Sequence, residues 1–140
     1  MPQIKEHRTE EQSAELIRLV IVDDHEGVRA GLSSVLAAEE GITVVGTAAS
    51  RREAKVLVPY ISPSVAVLDE NLPDGSGIQL CQELREFMPG LGCVIHTSSL
   101  TDELIARAMQ AGATQVVAKS LAGNALLYAI RAATDVTEAS

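Results

Sequence analysis

Five short, largely apolar runs alternate along the chain with stretches whose apolar residues recur at helical spacing. The runs are residues 19–22, 42–45, 65–68, 93–95 and 116–118. Continuous apolar runs of this length are typical of strands that are buried on both faces of a parallel sheet. Helices are predicted between them, ending at Gly41, before Pro59, at Pro89 and at Gly112, with a last helix over residues 121 to about 133. The pattern predicts a doubly wound α/β domain with a five-stranded parallel sheet.

The length and composition are those of one globular domain. The chain has 140 residues, of which 46% are hydrophobic and 21% charged, so it can bury a substantial core. We expect residues 1–16 to be a flexible tail, residues 17–134 the domain, and residues 135–140 a C-terminal tail or the start of a linker. No apolar stretch approaches the ~20 residues of a membrane span, and no signal-peptide pattern is present, so we expect a cytoplasmic protein without a membrane contact.

Charge and aromatic content argue against direct nucleic-acid binding by these residues. The net charge is −8, without any cluster of basic residues. Tyr60, Phe87 and Tyr128 are the whole aromatic set, which predicts an aliphatic core and argues against stacking-based binding of single strands. Cys81 and Cys93 have neither metal-ligand nor redox spacing, and we interpret them as small buried hydrophobic residues.

Polar side chains follow the predicted strands at the point where each strand ends. Asp23 and Asp24 follow the first strand, Asp69 the third, Thr97 the fourth and Lys119 the fifth. In open α/β sheets, ligands bind in the crevice beyond the carboxyl ends of the strands. Three crowded carboxylates need a counter-ion, and Mg²⁺ prefers oxygen ligands. A carboxylate can also accept a phosphoryl group, and a lysine and a hydroxyl can bind the phosphoryl oxygens. These five residues would therefore form a complete phosphoryl-acceptor site.

Two segments carry a family resemblance. Residues 20–32, VIVDDHEGVRAGL, are similar to the opening of the NarL/FixJ (LuxR-type) response regulators, and residues 69–77, DENLPDGSG, are similar to their phosphoacceptor segment. Thr97 and Lys119, 28 and 50 residues beyond Asp69, stand where the family has its switch hydroxyl and its lysine. From residue 18 to about 133 the chain resembles the receiver domain of bacterial two-component systems. The resemblance implies a flavodoxin-like (βα)5 fold with strand order 2-1-3-4-5.

The resemblance also implies a role for each site residue. Asp69 would be phosphorylated by a sensor histidine kinase. Asp24 would bind Mg²⁺ directly and Asp23 mainly through a water molecule, while Asp69 and the backbone carbonyl of Asn71 would complete the protein ligands.

Two further roles follow from the same family. Thr97 would hydrogen-bond the phosphoryl group and move toward it in the active state. Lys119 would pair with Asp69 before phosphorylation and with the phosphoryl oxygens afterwards. Such a protein is a signalling switch with at most slow self-phosphorylation and self-dephosphorylation, and not an enzyme.

The chain departs from the family at two positions. Val116 stands where receivers often have an aromatic switch residue, which leaves the readout of the signal open. Ser120 follows the lysine where many receivers have a proline, so no cis-proline constraint is expected.

Partners also follow from the resemblance. A homodimer that depends on phosphorylation, through the face of the fourth and fifth helices, is a family expectation. DNA would be bound only through a C-terminal helix-turn-helix domain, which these residues lack. The sequence leaves open whether the chain is an excised or a free-standing receiver.

Structural interpretations remain for single residues. Asp24 could be the N-cap of the first helix, and Asp69 a turn residue at a strand end. Capping is our main interpretation of Thr101, and a loop or cap position is our interpretation of His25.

Two alternative functions are also retained. One is a phosphatase similar to the haloacid dehalogenase superfamily, although those enzymes usually have an aspartate where Asn71 stands. The other is an interaction module with the shape of a receiver that takes no phosphate.

Overall fold

Seven strands and five helices form the part of the chain that the computed structural model describes, residues 16–119 and 123–139, with only the backbone described for residues 123 and 135–139. The strands are β1 (Ile17–Val22), β2 (Ile42–Ala48), β3 (Val65–Asp69), β4 (Asn71–Leu72), β5 (Gly75–Ser76), β6 (Gly92–Thr97) and β7 (Gln115–Ala118). The helices are α1 (Glu26–Ala37), α2 (Arg51–Ile61), α3 (Gly77–Phe87), α4 (Asp102–Gln110) and α5 (Gly123–Ala139).

Five of the strands form one parallel sheet in the order β2-β1-β3-β6-β7. In terms of the five predicted strands this is the order 2-1-3-4-5, so the predicted flavodoxin-like fold is confirmed. β4 and β5 form a small antiparallel hairpin around Pro73 and Asp74. The strand order reverses between β1 and β3, and this reversal opens a crevice at the carboxyl edge of the sheet.

The sheet separates two aliphatic cores. Val20, Val22 and their neighbours on the other strands pack on the side of α2, α3 and α4. Leu19 and Ile21 point to the opposite side, where α1 and α5 pack. Because successive side chains pack into opposite cores, each strand is a continuous apolar run in the sequence. Cys81 and Cys93 are fully buried free thiols, as predicted, whereas the three aromatic residues are exposed.

The structure corrects two predicted helix ends. α2 continues through Pro59 to Ile61 and ends at Ser62, whose backbone is left-handed with φ +56° and whose N–H donates to the Val58 carbonyl at 2.8 Å. Pro59 has no N–H, so the helix lacks one i→i−4 hydrogen bond at this residue, and it continues for only two residues beyond it. α5 runs to Ala139, beyond the predicted end near residue 133.

Some expectations lie outside the described residues. They are the N-terminal tail up to residue 15, the start of the last helix at Leu121, and the peptide bond that precedes Ser120. Among the helices that the structure describes, none is both long enough and apolar enough to cross a bilayer.

Candidate functional site

The carboxyl edge of the sheet brings the predicted acidic residues together. Asp23 and Asp24 follow β1, and Asp69 is the last residue of the neighbouring strand β3. Each can offer one ligand atom to a group whose atoms lie within 4.8 Å of one another, and His25 belongs to the same group. Asp23 and Asp69 are almost fully buried, while Asp24 is about one-third exposed. The crevice therefore contains a negatively charged pocket with one open side.

Lys119 brings a positive charge from the far edge of the sheet into this pocket. Its Nζ lies 3.0 Å from Asp69 Oδ2 and 3.5 Å from Asp23 Oδ2. Burial by itself would lower the pKa of Lys119, but its close contact with the charged Asp69 carboxylate, together with the charge of Asp23, raises it above its usual value. Lys119 therefore stays protonated and partly neutralises both carboxylates.

The two buried aspartates have pKa values shifted in opposite directions. Burial raises the pKa of Asp69, and the negative charge of Asp23 adds to this effect, so that the Lys119 contact only partly compensates. Burial also favours the neutral form of Asp23, but hydrogen bonds from His25 and the charge of Lys119 lower its pKa overall. Asp69 is consequently the more basic carboxylate of the pair.

Asp69 presents its two oxygens to different surroundings. Oδ1 accepts a hydrogen bond from the Asn71 N–H at 3.1 Å. Oδ2 is buried and has no well-directed hydrogen bond, although Lys119 Nζ lies 3.0 Å away. The ammonium of Lys119 is therefore the charged group that Oδ2 faces.

Thr97 ends β6 beside the pocket. Its side chain is almost completely buried, and its Oγ1 accepts a hydrogen bond from the Ser99 N–H at 3.1 Å. The Lys119 N–H donates to the Thr97 carbonyl at 2.6 Å, so the ends of β6 and β7 are held together. Every site residue predicted from the sequence thus lies at this edge of the sheet.

The loop after Asp69 is held by side chains that the sequence analysis did not single out. Glu70 Oε1 accepts the Ile78 N–H at 3.3 Å, and the Glu70 carbonyl accepts the Gly77 N–H at 2.9 Å. On the outer side of the loop, both Asp74 carboxylate oxygens accept N–H groups at the start of α2, at 2.8 Å from Arg51 and 3.0 Å from Arg52. These bonds fix the β4–β5 hairpin, which includes Asn71, to both flanking helices.

His25 makes side-chain contacts that were not expected of a loop or cap residue. It stands at the N-cap position of α1, but its side chain makes no capping hydrogen bond. Instead, its Nδ1 lies 3.1 Å from Asp23 Oδ1 and 3.1 Å from Asp24 Oδ1. Asp24 is therefore not the cap of this helix. In the sequence, only the position of His25 directly after two aspartates indicates that it could contact the acidic pocket.

Arg29 and His96 are two further residues near the site that the sequence analysis missed. Arg29 Nη1 donates to the Asp23 carbonyl at 2.6 Å and so fixes the turn after β1. His96 is buried next to Thr97, and burial followed by the charge of Lys119 lowers its pKa to about 4. Nothing in the local pattern marks either residue, because their roles depend on which strands are neighbours.

The donor set fits a hard divalent cation. Three carboxylates converge, one of their buried oxygens lacks a well-directed hydrogen bond, and the charge of Lys119 does not balance them. Oxygen-rich sites with one or two carboxylates and an open side are those that Mg²⁺ prefers, because it keeps several water ligands.

Val116 lies on β7 and is half-buried against the core on the side of α4. A valine in this place cannot turn between a buried and an exposed position as a large aromatic side chain does. Residue 116 therefore cannot act as the aromatic switch that receivers often have at this position.

Comparison with known proteins gives consistent results. Residues 19–131 match the model of the response regulator receiver domain. The chain is 46% identical over 116 residues to the DNA-binding transcriptional activator DevR/DosR of Mycobacterium tuberculosis, covering 83% of this chain and 54% of that protein. It is 30% identical over 115 residues to the response regulator protein VraR of Staphylococcus aureus, covering 82% of this chain and 55% of VraR. The chain thus spans about half the length of these relatives.

Solved structures agree with the fold. A LuxR-family two-component response regulator from Aurantimonas sp. SI85-9A1 superposes with a TM-score of 0.83 at 30% identity, covering 86% of each chain. The signal receiver domain of the putative response regulator NarL from Mycobacterium tuberculosis gives a TM-score of 0.77 at 25% identity, covering 90% of this chain and 99% of that one. Fold, site geometry and sequence similarity together show that the chain belongs to the response regulator receiver domain family, among the LuxR/NarL-type regulators.

Proposed function

We propose that this chain is a phosphorylation-dependent switch that accepts one phosphoryl group on Asp69 from a sensor histidine kinase. The observation that carries the proposal is the position of Lys119 Nζ, in contact with both Asp69 and Asp23 inside the carboxylate cluster. Family membership supports the signalling role, since receiver domains are signalling switches rather than true enzymes.

In the proposed transfer, an Asp69 oxygen attacks the phosphorus atom of a phosphohistidine on the kinase. The new O–P bond forms while the N–P bond breaks, and the leaving imidazole takes up a proton from solvent. The raised pKa of Asp69 makes its carboxylate a more basic nucleophile, whereas Asp23 keeps its negative charge. Phosphoryl transfer requires little else than positioning and charge neutralisation.

The neighbouring residues would hold the phosphoryl group in place. Lys119 would exchange its contact with Asp69 for one with the phosphoryl oxygens, and the Thr97 hydroxyl would leave Ser99 to donate to them. Asp23, Asp24, Asp69 and the carbonyl of Asn71 would hold Mg²⁺. When bound, the ion would neutralise negative charge on the phosphoryl oxygens.

The charge change would then be read at the surface. A phosphoryl group adds roughly −1.5 to −2 charges and three acceptor oxygens, enough to reorganise a loop beside it. We expect the change to reach α4 and β7 through Thr97, with Val116 acting by packing rather than by an aromatic flip. Homodimer formation, and DNA binding through a C-terminal helix-turn-helix domain of a longer protein, would be the outputs.

The test is intact mass after incubation with Mg²⁺ and a small phosphodonor such as acetyl phosphate. The wild type should gain the mass of one phosphoryl group in a bond that is stable to acid and labile to base, and Asp69→Asn should gain nothing. Equal modification of both proteins would overturn the assignment of Asp69. Many cycles of phosphate-ester hydrolysis per molecule would favour a phosphatase, and no modification together with no Mg²⁺ binding would favour a constitutive interaction module.

A further inference from the structure

Arg51 connects three elements beside the loop that follows Asp69. It is the first residue of α2, and its side chain is only 17% exposed. Its Nη1 donates to the Asp74 carbonyl at 2.9 Å, and its Nη2 donates to Glu83 Oε1 of α3 at 2.6 Å. We propose that Arg51 is a positioning residue, which holds the β4–β5 hairpin in the place that phosphoryl transfer to Asp69 requires. The inference rests on the function proposed above and adds a residue that acts from outside the acidic pocket.

The β4–β5 hairpin links Arg51 to the proposed nucleophile. Asp74 lies in the turn of this hairpin, in which Asn71 pairs with Ser76. The Asn71 N–H donates to Asp69 Oδ1 at 3.1 Å, and the Asn71 carbonyl is the proposed backbone ligand of Mg²⁺. A displacement of the hairpin would therefore move a hydrogen-bond donor of the nucleophile and a metal ligand together.

The side chain of Arg51 lies directly against the hairpin. A Cβ atom at Gly75 would overlap Arg51 Cδ, so glycine at this place lets the arginine approach the hairpin backbone. The N–H groups of Arg51 and Arg52 donate to the Asp74 carboxylate at 2.8 and 3.0 Å, so the start of α2 binds the same turn. Because the guanidinium is a planar group with donors in fixed directions, one side chain can hold the hairpin and Glu83 of α3 at a set separation.

The energetics of Arg51 favour positioning rather than stability as its role. Within the part of the chain that the structure describes, its buried Nε has no hydrogen-bond partner, which offsets part of what its other bonds contribute. Glu83 is 26% exposed and lies 3.5 Å from Lys55 Nζ, so it would keep a cation beside it without Arg51. An apolar side chain of similar length should therefore be tolerated here with little loss of stability. It would not supply the two directed hydrogen bonds.

The test compares three variants of the full chain with the wild type. Arg51→Met removes both directed hydrogen bonds and keeps most of the side-chain length. Arg51→Lys keeps the charge but has a single nitrogen in place of the two that bind Asp74 and Glu83. Arg52→Met is the matched control, because it removes the same charge from the next residue and leaves the backbone N–H in place. Among the described residues, the Arg52 side chain has no hydrogen bond or ion pair.

Phosphorylation of Asp69 by acetyl phosphate at saturating Mg²⁺ should be about tenfold slower in Arg51→Met than in the wild type, because the site is no longer held in its reactive geometry. Arg51→Lys should also be slower, and Arg52→Met should react at the wild-type rate. The urea midpoints of all four proteins should agree. Without Mg²⁺, the Asn71 amide hydrogen should exchange faster in Arg51→Met, while exchange in β3 and β6 stays unchanged.

The outcomes separate this inference from the proposed function. A wild-type rate in Arg51→Met or in Arg51→Lys would overturn the role of Arg51, and so would an equal loss in Arg52→Met, which would indicate a general effect of charge. A lower urea midpoint of Arg51→Met with faster exchange throughout the sheet would make the residue a structural one. Asp69 would remain the phosphoryl acceptor in each of these cases. If the wild type accepted no phosphoryl group, the proposed function would fail, and the role of Arg51 would fail with it.

Discussion

At the scale of single residues, the two buried aspartates beside Lys119 differ in the direction of their pKa shifts. Lys119 contacts both carboxylates, yet the pKa of Asp23 is lowered while that of Asp69 is raised. Burial disfavours the charged form of both carboxylates. In Asp23 the two hydrogen bonds from His25 and the charge of Lys119 outweigh burial, whereas in Asp69 burial and the negative charge of Asp23 outweigh the contacts with Lys119 and Asn71. In the function proposed above, Asp23 would keep its negative charge and Asp69 would be the nucleophile.

His96 should make the stability of the fold depend on pH. Its folded-state pKa of about 4 lies below the ordinary value of 6.5, because burial and the charge of Lys119 disfavour the imidazolium. Between these two values the unfolded chain binds a proton that the folded chain does not. The free energy of unfolding should therefore fall as pH decreases from 6.5 to 4, by at most about 3 kcal/mol from this residue.

Urea unfolding of the wild type and of His96→Gln at pH 7 and pH 5 measures this contribution. The loss of stability on acidification should be smaller in His96→Gln, and His96→Asn should behave in the same way if titration rather than packing is responsible. Parallel pH profiles of all three proteins would contradict the prediction.

At the scale of elements, the junction between β3 and α3 depends on a close backbone approach. A Cβ atom at Gly77 would lie 2.2 Å from the Asp69 carbonyl oxygen and 2.9 Å from its carbon. Glycine at this place lets α3 begin directly against the end of β3, where the Gly77 N–H also donates to the Glu70 carbonyl at 2.9 Å. The position of Asp69 is thus tied to the start of α3.

Gly77→Ala should destabilise the protein by about 1–3 kcal/mol, since backbone atoms must move to admit the methyl group. It should also slow phosphorylation, because the strained segment carries Asp69. Gly31→Ala is the matched control. Gly31 lies within α1 with no atom near its Cβ position, so alanine should stabilise the helix by about 0.5–1 kcal/mol. Equal unfolding midpoints for Gly77→Ala and the wild type would show that the junction is not tight.

At the scale of the whole molecule, an acidic chain of net charge −8 folds around a cluster of carboxylates. The mutual repulsion of these groups lowers the stability of the folded protein, because it is largely absent from the unfolded chain. A divalent cation that binds only the folded form relieves it and stabilises the fold by mass action.

Mg²⁺ at 100 times its dissociation constant should therefore raise the unfolding free energy by about 2.7 kcal/mol. Asp24→Ala should lose most of this gain, because Asp24 is the proposed direct ligand and is partly open to solvent. Thermal melting with and without Mg²⁺ at matched ionic strength checks the prediction. The same increase in melting temperature in both proteins would point to general screening instead of a specific site.

Much of the fold and of the site could be predicted from local pattern. Apolar runs and turn residues located all five strands of the main sheet, and the strand-end residues Asp23, Asp69 and Lys119 do meet at one edge. Local reasoning failed at Pro59, because the packing of α2, which buries Ala54 and Val58, outweighs the loss of one helical hydrogen bond near the end of the helix. It also missed His25, whose ring is engaged only when β1 and α1 are in place.

The sequence by itself determined the class of the fold, the order of its elements and the kinds of side chain at the strand ends. These depend on backbone sterics and on apolar periodicity, which act between near neighbours in the chain. The tertiary structure alone decided which charges face each other. Asp23 and Lys119 are 96 residues apart in the chain, and they meet because β1, β3, β6 and β7 lie in one parallel sheet with fixed register. Burial at that shared edge, together with the charges and hydrogen bonds that meet there, then shifts the pKa values of Asp23, Asp69, His96 and Lys119.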